Sequence, residues 1–189
     1  LLTSKKQITK EVRKVFTFIE SPYKQYNYKH LLVSPNSTRE GIFALIDREI
    51  AHARAGREAK FWVKINSVSD HEMIAKLYEA SASGVSIRMI VRGINCIDFS
   101  NKALSGTIEA ISIVDRFLEH TRAFCFHNNG QSAYYISSAD WMTRNLTRRV
   151  EVMVPIYDDK LKRQLRDHFK ILSKDNTKSR IFDANQYNA

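Results

Sequence analysis

The sequence has little that would suggest a secreted, membrane-spanning or disulfide-stabilised protein. Only two cysteines occur in 189 residues, Cys96 and Cys125, and their separation does not match a metal-binding spacing. No apolar run is long enough to cross a bilayer, and the N-terminus has no basic-then-apolar signal pattern. We therefore expect a cytoplasmic globular protein with reduced thiols, with peripheral membrane association as an alternative location.

Positive charge is the main excess in the composition. The formal net charge is +10 and the isoelectric point is near 9.7. Such a balance favours polyanionic partners, although a basic surface can also serve solubility alone. Arginine binds phosphate oxygens through paired N–H donors, so its placement matters more than the total. The arginines expected beside strand ends and turns are Arg92, Arg116, Arg122, Arg144, Arg148 and Arg149.

Hydrophobic periodicity predicts an α/β fold. The predicted helices are 7–19, 38–55, 70–83 and 158–172, and the predicted strands are 31–34, 60–65, 85–91, 108–114, 122–126, 133–137 and 150–156. The alternation of strands and helices between residues 31 and 91 implies parallel strands. We expect a mixed, mostly parallel sheet with helices on both faces. Residues 94–107 show no clear period and predict a long loop, and the tail after Ser173 is expected to be loosely held.

A histidine and an arginine two positions apart are the first candidate site residues. The segment Phe117–Arg122 is interpreted as a strand, which would point His120 and Arg122 to one face of the sheet. Imidazole can attack phosphorus or transfer a proton, while arginine neutralises phosphate oxygens. Arg92 and Gly93 follow a predicted strand, where ligands bind in open α/β sheets. Together these residues suit phosphate chemistry.

The segment Ser137–Asn145 is expected to lie near this pair. Ser137 and Ser138 are candidates to donate hydrogen bonds to phosphate, and turn capping is an equal alternative. Asp140 would orient His120, help to place a metal, or act only as a structural acid in the turn. Trp141 is expected in the core.

These segments resemble bacterial polyphosphate kinase of the phospholipase-D-like superfamily. The matching stretches are Leu31–Pro35 with Arg39, Ile46–Ile50, Lys64–Ser67, Leu77–Ser81, Val91–Ile94, Ser112–His120 and Ser137–Asn145. The resemblance covers nearly the whole chain and implies a phospholipase-D-like domain. It also implies a division into a helix and linker from a preceding catalytic domain (1–30), a second catalytic domain (31–173) and a C-terminal tail (174–189).

In that family two related domains face each other across an active-site tunnel. The first domain holds the phosphorylated histidine in a His-x-Lys motif, which this sequence lacks. The resemblance implies reversible transfer of the terminal phosphate of ATP to inorganic polyphosphate by the full-length protein, with Mg²⁺, and an inactive isolated fragment. The implied partners are ATP or ADP, polyphosphate, the preceding domain and a second copy in a homo-oligomer, but no specific nucleic acid.

The resemblance also implies roles for individual residues. By position, Arg92 and His120 match the ATP-contacting arginine and the second essential histidine of the family. Arg122 stands where phospholipase-D-like motifs usually have lysine. The further residues expected to bind ATP or phosphate are Arg116, Ser137, Ser138, Asp140 and Arg144, and no residue is assigned to a metal.

One segment of the sequence departs from the family pattern. Between Asn95 and Thr107 the family usually has a second cysteine and a proline-glycine stretch, whereas this sequence has Asn95 before Cys96 and no proline. The resemblance therefore implies no nucleotide or polymer contacts from this loop.

Two alternative functions fit the same residues. The first alternative is a phosphodiesterase, which would need a second His-x-Lys half and is disfavoured by arginine at position 122. The second is a non-catalytic basic module whose polyanion binding would depend steeply on salt and not on His120.

Overall fold

The computed structural model describes residues 2–184 and forms an eight-stranded sheet with helices on both faces. The helices are α1 (Lys6–Glu20), α2 (Thr38–Arg54), α3 (His71–Ala82), α4 (Lys102–Ser105), α5 (Thr143–Thr147) and α6 (Asp159–Leu172). The strands are β1 (Leu32–Val33), β2 (Lys60–Ile65), β3 (Ser86–Val91), β4 (Ile108–Ile113), β5 (Ala123–Phe126), β6 (Ala133–Ser137), β7 (Val152–Ile156) and β8 (Ser179–Ile181). The α/β class and most predicted element bounds are confirmed.

The strand order in the sheet is β1-β7-β6-β5-β2-β3-β4-β8. The mixed sheet is therefore confirmed, although antiparallel pairings outnumber the parallel ones, so the sheet is not mostly parallel as expected. Strands β2, β3 and β4 are parallel neighbours, whereas every other pairing is antiparallel. Connections that contain a helix join β2 to β3 and β3 to β4, and these two pairs are parallel. The tight turn between β5 and β6 instead forces an antiparallel pair.

The turn between β5 and β6 is formed by residues in the left-handed backbone region. Asn128 and Asn129 have φ values of 47° and 49°, and Gly130 has a φ of 88°. Asparagine and glycine tolerate this left-handed region better than other residues. The buried carboxylate of Glu49 also accepts a hydrogen bond from the Asn128 N–H at 2.6 Å, which ties the turn to α2.

The two faces of the sheet are covered by different helices. On one face, alternate residues Phe61, Val63 and Ile65 of β2 pack into the main core with α2 and α3. On the other face, Trp62 of β2 contacts Phe169 of α6 with ring centroids 5.7 Å apart. This alternation follows the two-residue period of a strand. It places helices on both faces, as predicted, and leaves the strand ends free to form a site.

Helix α1 packs on the edge of the sheet formed by β1 and β7. Ile8 and Val15 contact the buried side chains of Leu31 and Val33. The carboxylate of Glu11 accepts hydrogen bonds from three successive backbone N–H groups, those of residues 29–31, at 2.6 to 3.0 Å. The predicted helix at 7–19 is thus confirmed, and it is joined to the rest of the described chain by both apolar and polar contacts.

Two local predictions were wrong. Strand β4 ends at Ile113 and β5 begins only at Ala123, so residues 114–122 form a loop. The segment Phe117–Arg122 is therefore not a strand. The tail after Ser173 is not loose throughout, because β8 pairs with β4 and completes the edge of the sheet. The Asp175 carboxylate also accepts hydrogen bonds from the backbone N–H groups of residues 177–179, at 2.7 to 3.0 Å. Local patterns missed both features, since each depends on a distant partner.

Between residues 2 and 184, none of the helices combines the length and the apolar character that crossing a membrane requires.

Candidate functional site

The candidate residues meet where β2 and β3 end, at one side of the sheet formed by strand ends and not by an outer strand. Ile65 and Val91 are neighbours in the parallel register of β2 and β3, so Asn66 and Arg92 leave the sheet side by side. Strands β5 and β7 begin at the same edge because they run antiparallel to β2 and β6. Arg122 therefore lies beside the end of β2, and its carbonyl accepts a hydrogen bond from the Ser137 N–H at 3.0 Å.

Arg122 lies between an acid and the candidate histidine. Its Nε and Nη2 donate to the two carboxylate oxygens of Asp140 at 3.0 and 2.8 Å. The far side of the guanidinium approaches His120, with Nη2 3.1 Å from Nε2 and Nη1 3.4 Å from Nδ1. A neutral imidazole has one acceptor nitrogen, so one of these two contacts is a hydrogen bond at a time. His120 itself is exposed, and Arg122 fixes its ring orientation.

Asp140 connects this pair to the end of β2. Its Oδ1 also accepts hydrogen bonds from the backbone N–H groups of Asn66 and Ser67, at 2.9 and 3.2 Å. Burial raises the pKa of Asp140, but the hydrogen bonds from Arg122 and from the Asn66 N–H outweigh it, so the pKa lies below its usual value. Asp140 does not contact His120. It orients His120 only through Arg122.

Arg92 reaches the same edge from β3 and keeps part of its guanidinium available. Its Nε donates to Oδ1 of Asn66 at 3.1 Å, and its carbonyl accepts a hydrogen bond from the Ser112 hydroxyl at 3.2 Å. In the described part of the chain, the terminal Nη groups of Arg92 make no hydrogen bond. Two terminal N–H groups held by a fixed stem are suited to an anionic oxygen.

The hydroxyl groups of Ser137 and Ser138 both make hydrogen bonds within the protein. The Ser137 hydroxyl accepts a hydrogen bond from the Ala139 N–H at 3.0 Å. The Ser138 hydroxyl donates to the Glu151 carboxylate and accepts from the Val152 N–H at 3.1 Å. These contacts shape the turn after β6, so the turn-capping alternative describes the geometry better than direct phosphate binding.

Two predicted arginines are not brought to this cluster. Arg116 is exposed, and its guanidinium lies 5.5 Å from the ring centre of Phe117. Arg144 is also exposed, and its Nη2 lies 3.8 Å from the sulfur of Met142. Each remains able to contact a long polyanion, but neither touches His120 or Arg92.

A buried ion pair between Arg39 and Asp70 contacts the Ser137–Asn145 segment through Thr143. Arg39 donates through both terminal nitrogens to the carboxylate of Asp70, each at 2.8 Å, and Asp70 is fully buried. The Thr143 hydroxyl donates to the same carboxylate at 2.8 Å. Burial raises the pKa of Asp70, but these hydrogen bonds and that from the Met73 N–H together hold it below the usual value. The Ser137–Asn145 segment is thus fixed to α2 and α3.

Replacing Thr143 with valine is expected to lower the free energy of unfolding by about 1.5 kcal/mol, since a hydrogen bond to a buried carboxylate is lost while the shape is kept. Urea denaturation would measure the change. The matched control is Thr147→Val, because the Thr147 hydroxyl donates only to the exposed Thr143 carbonyl at 2.8 Å. An equal loss in both variants would contradict the role assigned to the Asp70 contact.

The carboxylates near the site do not form a protein-held magnesium centre. Both oxygens of Asp140 are occupied by Arg122 and backbone N–H groups, and Glu151 is bound to Ser138 and to the Asn145 amide at 2.6 Å. Mg²⁺ needs carboxylate or phosphate oxygens in octahedral geometry. Within residues 2–184, no group of three or more potential metal-binding side chains comes together. The residues therefore do not fit a bound Mg²⁺ of their own.

Sequence reasoning assigned no role to three residues that the structure places here: Lys64, Asn66 and Glu151. Lys64 is a charged residue that follows three apolar residues, Phe61–Val63, inside β2, and this break in the pattern is a signal for a role at the site. Asn66 follows β2 just as Arg92 follows β3, so parallel register alone would pair them. Glu151 has no comparable local signal, because its partners lie on a separate turn.

A family model and known relatives match this chain over nearly its full length. The model described as polyphosphate kinase C-terminal domain 2 matches residues 31–189. The polyphosphate kinase of Vibrio cholerae is 46% identical over 190 residues, which cover 99% of this chain and 27% of that protein. The chain thus spans about a quarter of the length of this relative.

Solved structures agree with the fold. The crystal structure of polyphosphate kinase from Porphyromonas gingivalis superposes with a TM-score of 0.92 at 37% identity, covering 97% of this chain and 28% of that one. A phospholipase D family member, Nuc from Salmonella typhimurium, has a TM-score of 0.59 at 14% identity, covering 81% of this chain and 96% of that one. The second likeness concerns the fold alone, and it confirms the phospholipase-D-like architecture.

Proposed function

This chain belongs to the polyphosphate kinase family, and we propose that it forms the second catalytic half of an enzyme that moves phosphate between ATP and inorganic polyphosphate. In this proposal a histidine in a preceding domain carries the phosphate, and the present chain supplies the opposing wall of the site. Its share of about 27% of a relative's length is consistent with an upstream partner domain. The proposed substrates are ATP or ADP and polyphosphate.

The observation that supports this proposal best is an exposed histidine held by a fixed arginine at the strand ends. His120 is open to solvent, and Arg122 holds its ring while Asp140 holds Arg122. A positioned imidazole can donate or accept a proton, or bind a phosphate oxygen, as phosphate moves. Phosphoryl transfer depends mainly on positioning and charge stabilisation, and this arrangement supplies both.

The two arginines have different proposed roles. Arg92 binds nucleotide phosphates, because the terminal nitrogens of its side chain remain available next to the sheet edge. Arg122 instead orients His120, because Asp140 and His120 together occupy its donors. Exposed arginines outside the cluster, Arg144, Arg148 and Arg149, supply positive charge along which a polyphosphate chain could extend. Mg²⁺ would arrive bound to the phosphates of ATP.

Replacing Arg92 with alanine is expected to weaken magnesium-ATP binding by the full-length protein about tenfold to hundredfold, since charge-assisted hydrogen bonds to phosphate are lost. Isothermal titration calorimetry would measure this binding, with long-chain polyphosphate titrated separately at two salt concentrations. Arg88→Ala is the matched control, because Arg88 lies on the same strand, is half exposed and pairs with Glu109 at 2.9 Å.

The control separates a phosphate site from a basic surface. Little change in Arg88→Ala beside a large loss in Arg92→Ala would support a nucleotide-phosphate site. Equal losses from both substitutions, fading together as salt rises, would instead favour a non-catalytic polyanion-binding module. Cleavage of a model phosphodiester without ATP would favour the phosphodiesterase alternative.

A further inference from the structure

A buried lysine contacts the loop that carries His120. Lys64 lies on β2, and its side chain is only 3% exposed. Its Nζ lies 3.4 Å from the Glu119 carboxylate and donates to the Thr121 carbonyl at 3.2 Å. Glu119 and Thr121 are the two neighbours of His120 in sequence, so this one ammonium group contacts a side chain on one side of the histidine and the backbone on the other.

Other support for this loop is sparse. Outside the strand ladders, no residue from 114 to 121 makes a backbone–backbone hydrogen bond in the described part of the chain. The loop also borders a cavity of about 390 Å³ lined by Lys64, Arg92, Val114, Phe117, Leu118 and Glu119, among others. Phe117 and Leu118 are 79% and 70% exposed. Side-chain contacts, rather than packing, therefore set the position of His120.

Glu119 links the lysine to the histidine segment. Its carboxylate accepts a hydrogen bond from the Thr121 N–H at 3.1 Å while it faces Lys64. Burial raises the pKa of Glu119, but the hydrogen bonds from Thr121 and the charge of Lys64 outweigh it and lower the pKa to about 2. The carboxylate is thus ionised at neutral pH, and it closes a short turn around His120.

Stability alone is a poor reason to place lysine here. Burial lowers the pKa of Lys64; Glu119 opposes this effect, and the charges of Arg92 and Arg122 add to it. The Glu119 side chain is 42% exposed, so solvent screens its charge and it offsets the desolvation of Lys64 only in part. A lysine kept among two arginines, at a cost in desolvation and repulsion, points to a role in geometry.

We propose that Lys64 is a positioning residue that, through Glu119 and the Thr121 carbonyl, holds His120 in register with Arg122 and Arg92. This inference rests on the proposed transferase function, because only then does the place of His120 govern a rate. A misplacement of about 1 Å at a reacting group can lower a rate by about 10²-fold. Lys64 contacts no reacting atom in this scheme; it acts through the loop.

The first test is kinetic and uses the full-length protein that carries this chain. Lys64→Met keeps the length of the side chain and removes its charge, and it is expected to lower kcat for ATP-dependent polyphosphate synthesis tenfold to hundredfold with KM for ATP changed less than about twofold. Glu119→Gln should give a smaller loss, and the double variant should be no worse than Lys64→Met. Lys76→Met is the control, because Lys76 is another mostly buried lysine in an ion pair, here with Asp47 and Glu79, but lies on α3.

The second test needs no activity and uses the same full-length protein. Nuclear magnetic resonance of the His120 ring, labelled with ¹⁵N, should show shifted or broadened signals in Lys64→Met and unchanged signals in Lys76→Met. If the wild-type protein lacks transferase activity, the proposed function fails and these spectra still decide the inference. Unchanged His120 signals, an unchanged kcat, or a rise in KM alone would overturn it, since the last result would make Lys64 a ligand contact. If Lys64→Met does not fold, Glu119→Gln is judged by the same readouts.

Discussion

Replacing His120 with alanine is expected to reduce ATP-dependent polyphosphate synthesis by the full-length protein about 10²- to 10⁴-fold, the usual contribution of a positioned acid–base group. The folded structure should tolerate this change. The His120 ring is exposed, and its hydrogen-bonding contacts in the described part of the chain are those with Arg122, which keeps its two bonds to Asp140. We therefore expect the free energy of unfolding to change by less than about 0.5 kcal/mol.

A radiometric assay of polyphosphate formation and a urea denaturation curve would test both parts. His71→Ala is the matched control, because His71 is an exposed histidine at the start of α3. It should keep full activity. Wild-type rates in His120→Ala would remove the imidazole from the mechanism, and the site would then consist of the arginines alone.

Replacing Asp140 with asparagine is expected to have the largest effect on stability. The side chains of Asp140 and Arg122 are only 11% and 10% exposed, so the substitution leaves a buried guanidinium without its counter-charge. Breaking a buried pair in this way costs about 3–5 kcal/mol. The amide also presents an N–H group where a carboxylate oxygen accepts bonds from the protein. Activity should fall as well, because Arg122 would no longer hold His120 in place.

The pH dependence of stability gives an independent check on Asp140. Its pKa lies below the usual value because the hydrogen bonds from Arg122 and from Asn66 outweigh burial. An acid with a lowered folded-state pKa binds fewer protons folded than unfolded near that pH, so its contribution is present above the unfolded value of about 3.9 and is lost as pH falls through the folded value. The difference between wild type and Asp140→Asn should therefore be constant near neutral pH and shrink below about pH 4.

Urea denaturation of both proteins across this pH range would measure that difference. Asp167→Asn is the control, because Asp167 is 60% exposed and lies 3.6 Å from Arg166; it should change stability by less than about 0.5 kcal/mol. A gap between wild type and Asp140→Asn that persisted unchanged at low pH would show that charge is not the source of the effect.

Much of the fold could be predicted because periodicity is a local property. The bounds of β2 and β6 match the predicted strands, and those of α2, α3 and α6 differ from prediction by about one residue. Trp141 is in the core as expected. Such elements depend on residues within a few positions of one another, where the hydrophobic pattern alone selects helix or strand. The C-terminal end of β3, and hence the position of Arg92, follows from the same patterns, whereas the loop that carries His120 does not.

The partners of each site residue were decided by tertiary structure. The sequence predicts Arg122 as a phosphate-binding arginine, yet Asp140 and His120 occupy its donors. Residues 117–122 form a loop in which the Thr121 and His120 carbonyls accept hydrogen bonds from Lys64 and Arg122, and not the strand that their sequence predicts. Strand β8 exists because β4 offers it an edge.

The sequence by itself determined the four long helices, most strands, the family and the strand ends at which the candidate site lies. Only the tertiary structure decided which side chains meet there and which charges are neutralised. The physical reason is separation along the chain: Asp140 binds the Asn66 N–H 74 positions away, and Lys64 binds the Thr121 carbonyl 57 positions away. Local periodicity carries no information about such pairs, because strand order and register, set by burial of the whole core, bring them together.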